Sequence, residues 1–242
     1  MRTCALVVAG GAGERMRRSG SAVPKPLVPV RGATLLEHNV SALLAAGVTD
    51  VRIAVSTLAP EVRTFADTRC ADLAASAGAR LEVIVEDPPL GSLGAAALLR
   101  EVDEVLVVNA DNLTTLDLRL VLEDHRASGA AMTLAVHDEP FPMPFGEITL
   151  EGSRVLAYRE KPTYRITICS AVTVLGAEAL SRMVPGEPVG LPVFANRLLH
   201  EGLPVHAFRH AAAWVDVNDL TVAARAEELL APPVVPSGDV AP

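Results

Sequence analysis

The chain has 242 residues, half of them hydrophobic and only 3% aromatic, so a core of Ala, Val and Leu must fill one sizeable domain. Its 29 acidic residues outnumber 21 basic ones, and the net charge of -8 opposes a nucleic-acid backbone as partner. Cys4, Cys70 and Cys169 are odd in number and far apart, the apolar start at 5–9 is too short for a secretory signal, and no apolar stretch reaches membrane-spanning length; together these exclude a disulfide framework and a membrane partner, and predict a cytoplasmic protein.

Short apolar runs at 6–9, 51–55, 81–85 and 105–108 predict buried strands, each separated from the next by a segment with helical spacing. Leu35, Leu36, Val40, Leu43 and Leu44 mark the first helix, and the Ala/Leu-rich segment after Gly94 predicts another. This βαβ alternation implies a parallel sheet covered by helices. Beyond Gly129 the pattern turns to strands at 132–136, 147–150, 155–158 and 168–175, with helices only at 178–183, 193–199 and about 220–230. The expectation is a Rossmann-like three-layer α/β sandwich with a mixed, mostly parallel sheet over 1–230, then a Pro-rich disordered tail at 231–242.

The first strand runs into Ala9-Gly10-Gly11-Ala12-Gly13-Glu14-Arg15-Met16, a turn whose bare amides suit an anionic ligand at the sheet edge. A dinucleotide fingerprint would need glycine where Met16 stands, and a P-loop would need Gly-Lys-Ser/Thr, so neither applies, and a plain strand-to-helix turn fits the glycines equally well. The next segment, Pro24-Lys25-Pro26-Leu27, holds one lysine between two prolines in a rigid, extended stretch. Of the 21 basic residues only Lys25 and Lys161 are lysines, which selects them for ammonium chemistry: a compact point charge for a phosphate rather than a planar fork.

Gly11-x-Gly13-x-Arg15-Met16 followed by Pro24-Lys25-Pro26-Leu27 resembles the signature of the sugar-1-phosphate nucleotidyltransferases, and in particular their short mannose- or heptose-1-phosphate guanylyltransferase members. The resemblance continues in family order through Glu86-Asp87-Pro88-Pro89-Leu90-Gly91-Ser92-Leu93-Gly94, Asn109-Ala110-Asp111, Phe145-Gly146-Glu147, Glu160-Lys161-Pro162 and Trp214-Val215-Asp216. It implies a nucleotide-diphosphate-sugar transferase fold lacking the C-terminal β-helix, with a nucleoside triphosphate and a sugar 1-phosphate as substrates. It also implies that Arg15 and Lys25 grip the triphosphate, that Asp111 and Asp216 hold Mg2+, and that Ala9, Gly10, Gly11, Gly13, Glu86 and Gly91 contact the nucleotide. Gly146, Glu160, Lys161 and Ser170 fall to the sugar phosphate. A homodimer is compatible with the same resemblance.

Two carboxylates plus substrate phosphates suit magnesium, although turn capping by Asp111 or helix capping by Asp216 explains each aspartate equally well alone; Asp219 is the stronger N-cap. A carboxylate at Glu86 accepts hydrogen bonds only, which favours the N1–H and amino donors of guanine over a pyrimidine carbonyl; the alternative leaves Glu86 in solvent and admits a uridylyl-, thymidylyl- or cytidylyl-transferase. Val172 stands where the family has the glycine of Asn-Ala-Gly, which adds bulk beside the sugar and leaves a cyclitol phosphate open as acceptor; Asn218-Asp219 replaces the common Gly-Thr, which makes Asp216 a less secure ligand than Asp111. A non-catalytic nucleotide-sugar-binding subunit would lose the cations or the metal aspartate, yet Arg15, Lys25 and Asp111 all stand. A retaining glycosyltransferase would present Asp-x-Asp where this chain reads Asn109-Ala110-Asp111.

Overall fold

A computed structural model of the chain describes residues 1–11, 16, 18 and 20–229. Gly13 and Arg15, and the tail expected at 231–242, lie outside the described residues. Strand β1 (Thr3–Val8) is apolar on both faces, as a strand with neighbours on either edge and helices on either side must be. A short 3-10 turn, Lys25–Leu27, leads through the two-residue strands β2 (Pro29–Val30) and β3 (Ala33–Thr34) to helix α1 (Leu35–Ala45). The Thr34 hydroxyl accepts from the Glu37 amide while the Glu37 carboxylate accepts from the Thr34 amide, so a capping box fixes where α1 begins.

Strand β4 (Asp50–Ser56) is followed by α2 (Pro60–Phe65), a π turn at Ala66–Cys70, α3 (Ala71–Ser76) and β5 (Arg80–Glu86). The helix expected after Gly94 is only a 3-10 turn, Gly94–Leu98, and this is a correction to the sequence reading. A Cβ at Gly94 would lie 2.9 Å from the Glu187 carbonyl oxygen, so the segment is pressed flat against another stretch of main chain and has no room to wind as a longer helix. Strands β6 (Glu104–Asn109) and β7 (Asn112–Thr114) then precede helix α4 (Leu118–Ser128), which Asp117 caps and Gly129 ends with φ 62°.

The second half contributes β8 (Met132–Pro142), the hairpin β9 (Glu147–Glu151) and β10 (Arg154–Arg159), and the long β11 (Thr163–Gly176). Helices α5 (Ala177–Ser181) and α6 (Leu191–His200), strands β12 (Val205–Arg209) and β13 (Trp214–Asp216), and helix α7 (Leu220–Leu229) complete the described chain. The main sheet runs β12-β8-β11-β6-β1-β4-β5; β8–β11 and β11–β6 are antiparallel and every other pairing is parallel. One face packs Leu36, Val40, Leu43 and Val121 from α1 and α4, and the other packs Phe194 and Leu198 from α6, which makes the three layers. No β-helix occurs among the described residues.

The exposed edge at β5 is protected by charge: Arg80 and Arg52 alternate with Glu82 and Asp50 in a run of ion pairs that discourages strand addition. Because α1 is positioned by its capping box, Thr34→Ala is expected to cost about 1 kcal/mol and to lower Tm by about 2–4 °C, measured by calorimetry.

Candidate active site

The parallel strands all deliver their C-terminal ends to one edge of the sheet, where side chains can face a ligand without breaking the ladder. β6 is extended past its end by the Ala110 amide, which donates to the Val8 carbonyl at 3.0 Å, and this places Asp111 beside the end of β1. β7 then pairs with β13 so that Asn112 lies opposite Asp216, and the Val217 amide donates to the Asp111 carbonyl at 2.9 Å. This short ladder is what brings two aspartates from distant parts of the chain side by side.

Lys25 joins them. Pro24 is extended at φ -55° and ψ 146°, and the chain then tightens into the 3-10 turn over a buried Pro26, so the expected rigid, extended stretch is a turn from Lys25 onward. The Lys25 side chain is only 11% exposed, and its ammonium donates to Asp111 Oδ2 at 2.8 Å and to Asn218 Oδ1 at 2.9 Å, with Asp216 Oδ1 at 3.4 Å. The Asn218 amide also donates to Asp216 Oδ2, and the Asn112 amide donates to Asp111 Oδ1 at 2.8 Å. Neither aspartate acts as a helix cap; Asp219 caps α7 by accepting from the Val222 amide at 2.9 Å. Asn218, which the sequence reading counted against Asp216, instead orients it.

The glycine turn forms a second group of contacts with Glu86. That side chain is not in solvent: it is 3% exposed, Oε2 accepts from the Leu90 amide at 3.2 Å, and Oε1 has no partner among the described residues. Burial pushes its carboxyl pKa up, and the Leu90 amide offsets only part of that. A Cβ at Gly10 would sit 3.0 Å from Glu86 Oε2 and 3.5 Å from the Ser56 amide nitrogen, so only glycine lets the turn lie this close to the carboxylate. Beside it, a cavity of about 190 Å³ is lined by Ala9, Gly11, Lys25, Ser56 and Val62, among others. Gly91 has a different physical reason: at φ 78° it packs against the Val189 carbonyl, where a Cβ would be 2.7 Å from the oxygen.

On the other half of the sheet, Gly146 lies under Tyr158, whose phenol a Cβ there would strike, and the Tyr158 hydroxyl donates to Glu160 Oε2 at 3.0 Å. Lys161 follows at φ 43° and is exposed. Ser170 is a correction to the expected sugar-phosphate set. Its side chain is fully buried and its Oγ is engaged by His137 Nδ1 at 2.8 Å and His210 Nε2 at 2.7 Å, which leaves no free hydroxyl for a phosphate. The Trp214 indole N–H donates to the Ser170 carbonyl at 2.8 Å and the ring lies 4.9 Å from His137, so this cluster anchors the start of β13 two residues before Asp216. Burial, together with the neighbouring His137, pushes the His210 pKa down. The Trp214-Val215-Asp216 motif signalled one member of this group; His137 and His210 carried no sequence signal.

Next to Ser170 the residue in left-handed conformation is Ala171, at φ 55°, whereas Val172 pairs with Val108 inside the sheet. The position that needs a glycine's freedom is therefore one residue earlier than the resemblance suggested, and Val172 is unstrained.

The profile of the nucleotidyl transferase family matches residues 4–183, most of the chain. The chain belongs to the nucleotidyl transferase family. Among curated proteins it is 31% identical over 227 residues to the mannose-1-phosphate guanylyltransferase of Mycobacterium tuberculosis, covering 88% of this chain and 60% of that protein. It is 28% identical over 224 residues to the mannose-1-phosphate guanyltransferase of Schizosaccharomyces pombe, with the same coverage of each. The chain thus spans about 60% of the length of these relatives. Among solved structures, HddC from Yersinia pseudotuberculosis complexed with GMP-PN superposes with a TM-score of 0.68 at 18% identity, over 94% of this chain and 99% of that one. A Bacillus anthracis structure named for glucose-1-phosphate thymidylyltransferase superposes with a TM-score of 0.72 at 19% identity over 94% of both chains. These likenesses establish the fold.

The buried Glu86 yields a stability test. With its folded pKa raised, the charge is a cost present at neutral pH that disappears as pH falls through the folded pKa toward the ordinary carboxylate range. Glu86→Gln, which keeps the oxygen facing Leu90, is expected to raise the ligand-free Tm at pH 7 by about 2–4 °C, the shift that ~1 kcal/mol produces, with the gap to the parent closing near pH 4. Parallel thermal melts across that pH range measure it.

Proposed function

We propose that the chain transfers a nucleotidyl group from a nucleoside triphosphate, preferably GTP, to a sugar 1-phosphate or cyclitol phosphate, in the cytoplasm and as a homodimer. The observation that carries this reading is the convergence of Lys25, Asp111, Asp216 and Asn218 beside the glycine turn at the C-terminal edge of the sheet. In the reaction, an acceptor phosphate oxygen forms a bond to the α-phosphorus, the bond from that phosphorus to the bridging oxygen breaks, and pyrophosphate leaves with the electron pair. The acceptor oxygen is already ionised at neutral pH, so no protein nucleophile is needed, and catalysis reduces to positioning and charge stabilisation.

The donor set fits magnesium. Asp111 and Asp216 offer hard carboxylate oxygens close enough to share one ammonium, and this ion is ordinarily held by one or two carboxylates plus substrate phosphates. The chemistry supplied by magnesium held there is neutralisation of phosphate-oxygen charge. Lys25, with Arg15, stabilises the negative charge gathering on the leaving pyrophosphate. Asn218 keeps Asp216 turned toward Lys25. Lys161 takes the acceptor's phosphate, and Glu160, held by Tyr158, takes ring hydroxyls. Ala9, Gly10, Gly11 and Gly13 contact the nucleotide, as does Gly91, which itself packs against Val189.

Guanine preference rests on Glu86. An inward-facing carboxylate with one oxygen unsatisfied gains most from a ligand edge that carries two adjacent N–H donors. The guanylyltransferase names of the relatives support the same base.

Purified protein given magnesium, GTP and a panel of sugar 1-phosphates is expected to release pyrophosphate. Lys25→Ala and Asp111→Asn should each lower that rate by at least ~100-fold, the effect of losing one charge-stabilising contact. Glu86→Ala should raise KM for GTP while leaving the slow use of other triphosphates unchanged. Undiminished turnover in both Lys25→Ala and Asp111→Asn would refute the assigned roles.

A further inference from the structure

The two imidazoles that hold Ser170 are themselves incompletely satisfied. Ser170 has one hydroxyl hydrogen and is fully buried between His137 Nδ1 at 2.8 Å and His210 Nε2 at 2.7 Å. With both rings neutral, that hydrogen goes to one imidazole and the other imidazole donates to Oγ, so of the two outer nitrogens one carries hydrogen and the other is bare. Glu139 Oε2 lies 3.4 Å from His137 Nε2, which favours hydrogen on that nitrogen and leaves His210 Nδ1 as the bare acceptor. Neither outer nitrogen has a hydrogen-bond partner among the described residues, although both atoms are buried and His137 as a whole is nine-tenths buried. Burial, together with the neighbouring His137, holds the His210 pKa down and so keeps that ring uncharged. Buried polar atoms without partners weaken a fold, and two of them on rings joined through one hydroxyl point to a ligand that completes them.

Both rings line one cavity of about 610 Å³, together with the exposed Arg165 and Arg209. The Arg165 guanidinium acts on Asp138 only through its field and makes no hydrogen bond among the described residues. Arg209 gives one N–H to Asp138 Oδ1 at 3.2 Å, an oxygen that also accepts from the Thr167 hydroxyl at 2.7 Å. The Asp138 charge is thus engaged from both sides, and two guanidinium groups keep donors to spare. The cavity lies at the ends of β8 and β12, two and three strands from β6 in the sheet, hence about 10 and 14 Å from the strand that leads to Asp111. None of the residues assigned above to the nucleotide, the metal or the acceptor lines it.

We propose that this cavity is a second binding site, for a sugar phosphate whose phosphate lies across Arg165 and Arg209 and whose hydroxyl donates to His210 Nδ1. The inference goes beyond the proposed reaction and does not depend on it. The volume is that of a small-molecule site. Planar guanidinium forks match the paired oxygens of a phosphate and stay charged at every relevant pH. A bare imidazole nitrogen repels an anionic oxygen and accepts from an O–H, so the ligand needs both groups: a neutral sugar satisfies the ring alone, and a bare anion the arginines alone. A hydroxy acid shares the two groups, and the probes below separate it from a phosphate ester.

Isothermal titration calorimetry at pH 8 without metal, where unperturbed imidazoles are neutral, is the test, with glucose 6-phosphate, gluconate, inorganic phosphate and glucose as probes. Glucose 6-phosphate is expected to saturate one site, gluconate and phosphate to bind at least ~10-fold more weakly, and glucose to give no heat. Arg165→Ser combined with Arg209→Ser, both on exposed side chains, should weaken glucose 6-phosphate by at least ~10-fold. Lys161→Ala, which touches only the proposed acceptor site, should leave that affinity unchanged. On the unaltered chain, the 15N resonance of His210 Nδ1 should move upfield at saturation as the nitrogen gains a donor, a readout that stands even where the double variant does not fold. Saturation with that resonance unmoved overturns the proposal, as does affinity lost in Lys161→Ala but kept without the two arginines. Phosphate binding as tightly as its sugar ester reduces the site to an anion contact and overturns it too, and gluconate binding more tightly than either makes it a carboxylate site instead.

Discussion

The site depends on one ammonium group holding two carboxylates together. At the separations seen here, Asp111 and Asp216 without Lys25 would place two negative charges within a few ångströms in a partly buried setting, an arrangement that costs several kcal/mol unless a cation lies between them. Lys25 relieves that repulsion, and its own burial is tolerable because three oxygens accept its three N–H donors. The β7–β13 ladder, the tight turn at 25–27 and the Asn218 amide all serve this juxtaposition. Hydrophobic packing builds the sheet, but the placement of these charges is what gathers a cation and two carboxylates at its edge.

Glu86 is the complementary case, a charge left without full compensation. It accepts one backbone hydrogen bond and leaves one oxygen unpaired in a buried position, at a cost that folding alone does not explain. Polar groups kept in this way are the ones a ligand completes, because the gain on binding is then large and selective for the ligand that supplies the missing donors. Gly10 belongs to the same arrangement: its bare Cα lets the turn approach the carboxylate, so the two residues pack together behind the cavity lined by Ala9, Gly11 and Ser56.

Much of the fold was legible because its strands are apolar runs bounded by turns: β4, β5 and β6 appeared within a residue of where they were expected, while β1, expected at 6–9, starts three residues earlier at Thr3. The strands β12 and β13 were not, since Val205–Arg209 mixes polar and apolar residues at the sheet's margin and Trp214–Asp216 is too short to show a period. The alanine-rich segment after Gly94 misled because helix propensity is a weak prior beside close main-chain packing. In the site, Lys25, Asp111 and Asp216 were readable from their motifs. The burial of Ser170 was not, because nothing local in the sequence places His137 and His210 on either side of it. Asn218 looked like a loss for the same reason: its value lies in a partner 193 residues away.

Tyr158 has two roles at once. Its ring covers Gly146 and its hydroxyl holds Glu160, while the residue as a whole is 60% exposed on the β9–β10 hairpin. A substitution that removed the phenol would therefore act in two places at once, uncovering Gly146 and releasing the Glu160 carboxylate.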